Sequence, residues 1–130
     1  MKELRTIEGS VESDMLSLRG FIAEAMRQVS FYISDIDLQY DIRLIIDELL
    51  LNGAQHGNDW DSDKKVYLLV ELGPETVSIV VRDEGRGIDT VREAFDCSST
   101  RCNGRGLFLV ESICESVRYE GNTIRCHMNI

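Results

Sequence analysis

The sequence lacks the features that mark exported and membrane-spanning proteins. It has one proline, Pro74, no internal repeat, and no apolar run near the ~20 residues that a membrane-spanning helix needs. The N-terminal residues, MKELRTIEGS, have no apolar centre of the kind found in a signal peptide. We therefore expect a cytoplasmic protein.

The chain has four cysteines, but their spacing does not indicate a disulfide framework. The chain has no CxxC motif, and with 130 residues and 43% apolar side chains it does not need disulfides to hold a core. A metal site built on Cys97 and Cys102 would lack suitably spaced partners. We therefore expect all four cysteines to be free thiols, namely Cys97, Cys102, Cys114 and Cys126. This length fits one unit, so we predict a single domain over residues 1–130.

Basic residues are scarce. The chain has 14 Lys and Arg against 23 Asp and Glu, and its formal net charge is −9. Because phosphate backbones and anionic lipids are bound by cationic surfaces, we expect no direct nucleic-acid or membrane partner. Residues 82–105 are different, since five arginines there balance five acids. That segment is where a small anionic ligand is best tolerated.

Hydrophobic periodicity predicts the order β-α-α-β-β-loop-α-β-β. The predicted strands are residues 4–11, 65–72, 76–82, 116–120 and 123–130, the last two joined by a turn at Gly121-Asn122. The predicted helices run from a cap at Ser13 or Asp14 to Tyr32, from 38 to 56 after a cap at Asp35 or Asp37, and from Arg105 to about Glu115. Strands grouped in hairpins favour an α+β fold, a two-layer sandwich with helices on one face of a mixed, mostly antiparallel sheet.

A first polar constellation lies on the second predicted helix. Glu48, Asn52 and Gln55 are spaced to form one polar stripe. A carboxylate and a carboxamide one turn apart can share a Mg²⁺ ion, which prefers oxygen ligands, and a carboxylate can deprotonate a nucleophile. By itself the stripe is more simply explained as a solvated helix face.

A second pattern follows the third predicted strand. Asp83 ends that strand, and Gly85 and Gly87 come after it. A buried carboxylate here can accept a hydrogen bond from an exocyclic amine such as that of adenine, and glycine allows the close backbone approach that a ligand needs. The alternative is a turn, DEGRG, that binds nothing.

A third pattern precedes the last predicted helix. Gly104, Arg105 and Gly106 lie at its start, where free N–H groups and the helix dipole favour a phosphate and an arginine adds charge-assisted bonds. The alternative is a flexible connector. The chain has neither the P-loop pattern nor the dinucleotide-binding GxGxxG pattern.

The order and spacing of the three patterns resemble the N box and the two glycine boxes of the GHKL ATPase superfamily. The matching motifs are Glu48-x-x-x-Asn52, Asp83-x-Gly85-x-Gly87 and Gly104-x-Gly106-Leu107. Within that superfamily, IDELLLNGAQHG, VRDEGRGID and GRGLFLVESICESV are most similar to the anti-sigma-factor serine kinase group. The resemblance covers essentially the whole chain and implies the Bergerat ATP-binding fold.

The resemblance implies a role for each matching residue. Glu48 would be the general base that takes the proton of a substrate serine. Asn52 would hold the Mg²⁺ that bridges the ATP phosphates, and Asp83 would bind the adenine amine. Gly85 and Gly87 would let the chain pass close to the nucleotide.

The resemblance also implies a mobile ATP lid at about residues 90–106. Gly104 and Gly106 would be its hinge, and Arg105 would lie near the phosphates. Thr123 matches the threonine that supports the adenine contact through water in this family.

Two features depart from the family pattern. Gly53 stands where alanine is commoner, which should loosen the helix by up to ~1 kcal/mol. The lid also carries Cys97 and Cys102, which the family does not require. His56 fits the usual end of the N box, and we assign it packing or an orienting bond and not catalysis.

The implied activity is phosphoryl transfer from Mg·ATP to a serine of an anti-anti-sigma (STAS-type) protein, with a sigma factor as a further partner and a homodimer as a plausible assembly. One alternative is a non-catalytic module that binds a nucleotide or a partner, against which the retained Glu48 argues. Another is a histidine-kinase catalytic domain acting in trans, for which His56 and His127 are poor phosphoacceptors. A third is an ATP-hydrolysing switch, against which the lack of a transducer domain argues.

Overall fold

The computed structural model describes residues 4–85 and 104–130. The described strands are β1 Arg5–Glu12, β2 Lys65–Leu72, β3 Thr76–Arg82, β4 Ser116–Glu120 and β5 Thr123–Asn129. The described α-helices are α1 Met15–Tyr32, α2 Ile36–Asn52 and α3 Gly104–Ile113. The predicted order of elements is confirmed over these residues.

The strands form one five-stranded sheet in the order β1-β2-β3-β5-β4. Every neighbouring pair is antiparallel, so the described part of the sheet has no parallel component and is simpler than the mixed sheet that we expected. The α+β sandwich itself is confirmed, since alternate strand residues are buried in one core with the helices.

The core fixes α2 against the sheet. Along β2, Val66, Leu68, Val70 and Leu72 are buried while the residues between them are not, which is the period of a sheet covered on one face. Helix α2 contributes the largest share of fully buried side chains, namely Ile42, Ile45, Ile46, Leu49 and Leu50. Because these apolar groups hold the helix in one orientation, they also set the direction of its polar side chains.

The caps that start the first two helices are both aspartates. The Asp14 carboxylate accepts the backbone N–H of Ser17 at 2.8 Å, and that of Asp35 accepts the N–H of Leu38 at 3.2 Å. Each bond satisfies a donor that the first turn of a helix leaves free. The structure thus selects Asp14 and Asp35 from the two candidates for each cap.

The second helix does not continue as an α-helix to residue 56, as the sequence predicted. Helix α2 ends at Asn52, and Gly53–Gly57 form a π-helical turn closed by a bond of 2.8 Å from the N–H of Asn58 to the carbonyl of Gly53. A Cβ at Gly53 would lie 3.0 Å from Val66 Cγ1, so the missing side chain lets this turn pack tightly on β2. Turns of this kind are frequent at functional sites.

None of the helices in the described residues is long and apolar enough to cross a membrane.

Candidate functional site

The Glu48 carboxylate lies between α2 and the first turn of α3. Its side chain is half-buried. This burial raises the pKa of Glu48 above its usual value, and the negative charge of the neighbouring Asp47 adds a smaller effect in the same direction. A Cβ placed on Gly106 would overlap the carboxylate, so only glycine lets the start of α3 come this close. The structure thereby brings together Glu48 and Gly106, which are 58 positions apart in the sequence (106 − 48).

Asn52 lies one turn further along α2 and is 2% exposed. Its Nδ2 atom is buried and has no hydrogen-bond partner among the described residues. An unpaired buried amide costs about 1–3 kcal/mol, so such a group is expected to meet a ligand. A carboxamide supplies either an N–H donor or a hard carbonyl oxygen, and the oxygen is a type of ligand that Mg²⁺ accepts. The carboxamide oxygen of Asn52, and not its unpaired Nδ2 donor, is therefore the atom that would fit the ion that the motif implies.

Asp83 is a buried carboxylate just beyond β3, and it is 4% exposed. Burial raises its pKa, and the Gly85 N–H, which donates to Asp83 Oδ1 at 2.8 Å, works in the opposite direction. A Cβ on Gly57 would overlap this carboxylate, and one on Gly85 would overlap the carbonyl of Gly57. Glycine is thus required on both sides of the contact between the π-helical turn and the end of β3.

Asn58 is a buried side chain that the sequence did not single out. It is 1% exposed, and its Nδ2 donates to Ser13 Oγ and to the carbonyl of Lys65, both at 3.0 Å. Its Oδ1 accepts the N–H of Glu84 at 2.7 Å. All the polar groups of this amide are satisfied, as a buried polar residue requires.

Asn122 binds the segment that follows β3, which Asn58 also binds through Glu84. Its Nδ2 donates to the carbonyl of Asp83 at 2.8 Å and lies 3.4 Å from that of Gly85. The main-chain carbonyl of Asn122 accepts the Asp83 N–H at 3.0 Å. The segment from Asp83 to Gly85 is therefore bonded to two asparagines that come from distant parts of the chain.

The comparison with known families agrees with this arrangement. A sequence profile of the histidine kinase-like ATPase domain matches residues 10–128. The chain belongs to the histidine kinase-like ATPase family. The matched region reaches from β1 to β5 and includes all three motifs, so the superfamily resemblance that they carry is confirmed and the domain is of an ATP-binding type.

Curated relatives of this ATPase domain are anti-sigma factors. The chain is 30% identical to the anti-sigma F factor of Priestia megaterium over 106 residues, which cover 74% of the chain and 72% of that protein. It is 30% identical to the anti-sigma F factor of Bacillus velezensis and 29% identical to that of Bacillus subtilis, each over 111 residues that cover 75% of the chain and 76% of the relative. The chain thus falls in the anti-sigma-factor group of the histidine kinase-like ATPase family.

Thr123, which the resemblance assigns to the adenine contact, is the first residue of β5. Thr123 pairs with Arg82, and both line a shallow groove on the outer face of the sheet. Since successive strand residues point to opposite faces, the next residue, Ile124, faces the core, while Asp83 faces the π-helical turn at Gly57. No direct bond joins Thr123 to Asp83 among the described residues, and the role of Thr123 in the adenine contact stays a prediction. The neighbouring Asn122 binds the main chain of Asp83.

Other predicted site residues fall at or beyond the edge of the described residues. Gly87, Cys97, Cys102 and the proposed lid up to Asn103 lie outside them. Gly104 and Arg105 form the start of α3. The contacts of these two residues are not among those that the structure describes. Their assignment to the phosphates stays a prediction.

His56 lies in the π-helical turn, with Nε2 buried and unpaired within the described residues. Burial lowers the pKa of His56, because desolvation disfavours the charged imidazolium. Burial thus favours the neutral imidazole, and the packing or orienting role assigned to His56 stays a prediction.

Proposed function

We propose that the chain is a serine protein kinase that transfers the γ-phosphoryl group of Mg·ATP to an anti-anti-sigma protein of the STAS type. The observation that carries this proposal is the placement of the Glu48 carboxylate. It lies against Gly106 at the start of α3 and one helical turn from Asn52, whose buried Nδ2 has no partner among the described residues. A module that only bound nucleotide would not need a carboxylate with a raised pKa at that position.

The proposed roles follow from what each group can do. Asp83 accepts a hydrogen bond from the adenine amine, and the free N–H groups at the start of α3 bind phosphate oxygens. Asn52 holds the magnesium ion, whose charge offsets that of the phosphates. Together these contacts fix the nucleotide with its terminal phosphate near Glu48.

In the proposed transfer, the substrate serine oxygen attacks the terminal phosphorus as the bond from that phosphorus to the β,γ-bridging oxygen breaks and ADP leaves. The serine proton passes to the Glu48 carboxylate. Burial raises the pKa of the Glu48 carboxyl, which makes the carboxylate a stronger base for this proton. Positioning and charge neutralisation supply the remainder of the catalysis.

The activity is tested with radiolabelled ATP, Mg²⁺ and STAS-domain proteins from the source organism. The wild-type chain should label one of them on serine, and Glu48→Gln should lower the rate by at least about a hundredfold. Label that survives acid indicates a phosphorylated hydroxyl side chain, which phosphoamino-acid analysis should assign to serine, whereas acid-labile label would support the histidine-kinase alternative. Equal rates for the wild type and Glu48→Gln would remove Glu48 from the role of base.

The second part of the proposal is that this chain also binds a sigma factor. Support comes from the relatives, which are named anti-sigma F factors. Affinity capture with the tagged full chain should recover a sigma factor, and the unphosphorylated STAS protein should displace it. Direct binding measurements in which none of the organism's purified sigma factors associates with the chain would contradict this part, and the kinase assay would be unaffected.

A further inference from the structure

The peptide group between Asp83 and Glu84 is held at both of its polar atoms by side-chain amides. Its carbonyl oxygen, which belongs to Asp83, accepts Asn122 Nδ2 at 2.8 Å. Its N–H, which belongs to Glu84, donates to Asn58 Oδ1 at 2.7 Å. The plane of one peptide is thus fixed from two directions, by residues that lie 26 and 39 positions away along the chain.

This bonding determines the direction of the Asp83 side chain. The N–H of Asp83 itself donates to the main-chain carbonyl of Asn122 at 3.0 Å. The peptide groups on both sides of the Asp83 Cα are therefore held by hydrogen bonds. With both planes fixed, the φ and ψ angles of Asp83 are fixed, and with them the direction of its Cα–Cβ bond. The carboxylate then lies against the π-helical turn, in the space that a Cβ on Gly57 would occupy.

We infer that Asn58 and Asn122 are positioning residues that set the adenine selectivity of the site. The inference rests on the proposed contact between Asp83 and the adenine amine. Neither asparagine needs to touch the nucleotide, since each acts through the backbone of Asp83. Asn58 is 1% exposed, and its remaining donors are used on Ser13 and Lys65, so the loop is also tied to the start of β2.

The physical reason for two asparagines is that a carboxamide alone combines a donor and an acceptor on a short, stiff stem. Asn122 uses the donor and Asn58 uses both. Replacement by aspartate keeps the shape and removes the donor. At Asn122 this change puts a carboxylate against the carbonyl oxygens of Asp83 and Gly85, which repels the segment that it normally holds.

The test compares two ligands that differ by one group, ADP and purine riboside diphosphate, which lacks the exocyclic amine. Calorimetric affinities are measured for the wild type, Asn122→Asp, Asn58→Asp and the control Asn129→Asp. Asn129 has the same chemistry but lies exposed on β5, away from Asp83. Unfolding of part of the sample lowers the number of sites for both ligands together, so the ratio of the two affinities reports on the adenine contact alone.

We expect the wild type to prefer ADP and Asn122→Asp to lose about tenfold in ADP affinity, with less than about a twofold change for the amine-free ligand. Asn129→Asp should match the wild type. An unchanged preference in Asn122→Asp would overturn the inference, as would equal losses for both ligands, which indicate a general structural role. If Asn58→Asp does not fold, Asn122→Asp decides the question. A wild type that binds neither ligand, or binds both equally, refutes the proposed adenine contact itself and is thereby distinguished from failure of the inference.

Discussion

Replacing Gly106 by alanine should displace the carboxylate that we assign as the base. A Cβ at this position would overlap Glu48 and would lie 2.6 Å from its Cδ carbon. Carbon atoms in contact prefer separations of about 3.5–4.0 Å. Either the carboxylate or the start of α3 must therefore move by about 1 Å, and both movements separate Glu48 from the phosphate-binding end of the helix.

The expected cost follows from this displacement. A misplacement of about 1 Å in a catalytic arrangement can lower a rate by roughly a hundredfold. That factor corresponds to about 2.7 kcal/mol in the activation free energy. We therefore expect the rate constant for phosphoryl transfer at saturating ATP and saturating protein substrate to fall by about two orders of magnitude in Gly106→Ala.

The control is the same substitution in another helix. Gly20 lies in α1, and a Cβ there would have no neighbour within 4 Å. Gly20→Ala should stabilise the fold by up to about 1 kcal/mol, because alanine is the better helix former, and should leave the transfer rate unchanged. Both variants are assayed by single-turnover transfer of radiolabelled phosphate, with thermal unfolding to verify folding. A folded Gly106→Ala protein that transfers phosphate at the wild-type rate would refute the proposed geometry.

Three further outcomes are expected. Gly57→Ala would place a Cβ 2.6 Å from Asp83 Oδ1 and should lower ADP affinity at least tenfold in calorimetry, and an unchanged affinity would mean that this carboxylate does not bind the base. Because burial raises the pKa of Glu48, the transfer rate should fall as the pH drops through a value above that of an exposed glutamate, and a profile that is flat down to the ordinary range would contradict it. Burial also raises the pKa of Asp83 in the folded state above its unfolded value, so the ionised form costs stability at neutral pH and this cost vanishes below the unfolded pKa. Asp83→Asn should accordingly stabilise the fold by roughly 1 kcal/mol at pH 7 in thermal unfolding, with a smaller gain in acid, and a lower melting temperature at pH 7 would contradict the argument.

The sequence predicted the elements of the fold and the main polar groups because those signals are local. The i,i+4 spacing of Glu48 and Asn52 puts both on one side of a helix. Asp83 directly follows the apolar strand β3 and so lies at the end of that strand. Apolar runs predicted strands at residues 65–72 and 76–82, which are β2 and β3 in the structure. Periodicity carries this information within a few residues, so no knowledge of the tertiary fold was needed.

The remainder of the site depends on contacts across the chain. The π-helical turn at Gly53 arises where α2 meets β2, and a helical pattern in the sequence does not distinguish it from an α-helix. The bond from Asn122 to the main chain of Asp83 joins a turn to the end of another strand, and nothing in the sequence pattern predicted it. Asn58 was passed over because an asparagine after a glycine is an ordinary helix-stop signal. The dipeptide Gly57-Asn58 by itself gives no indication that the side-chain amide of Asn58 is buried.

The central claim is that Glu48, Asn52 and Asp83 surround a magnesium–nucleotide site, and titration of ATP with and without Mg²⁺ tests it most directly. Calorimetry on the wild type and on Asn52→Ala is sufficient, because Asn52 Nδ2 has no hydrogen-bond partner among the described residues that its removal would leave unpaired. The account predicts that Mg²⁺ strengthens ATP binding to the wild type and has little effect on the variant. A wild type that does not bind ATP, or a variant with the same dependence on Mg²⁺, would contradict it.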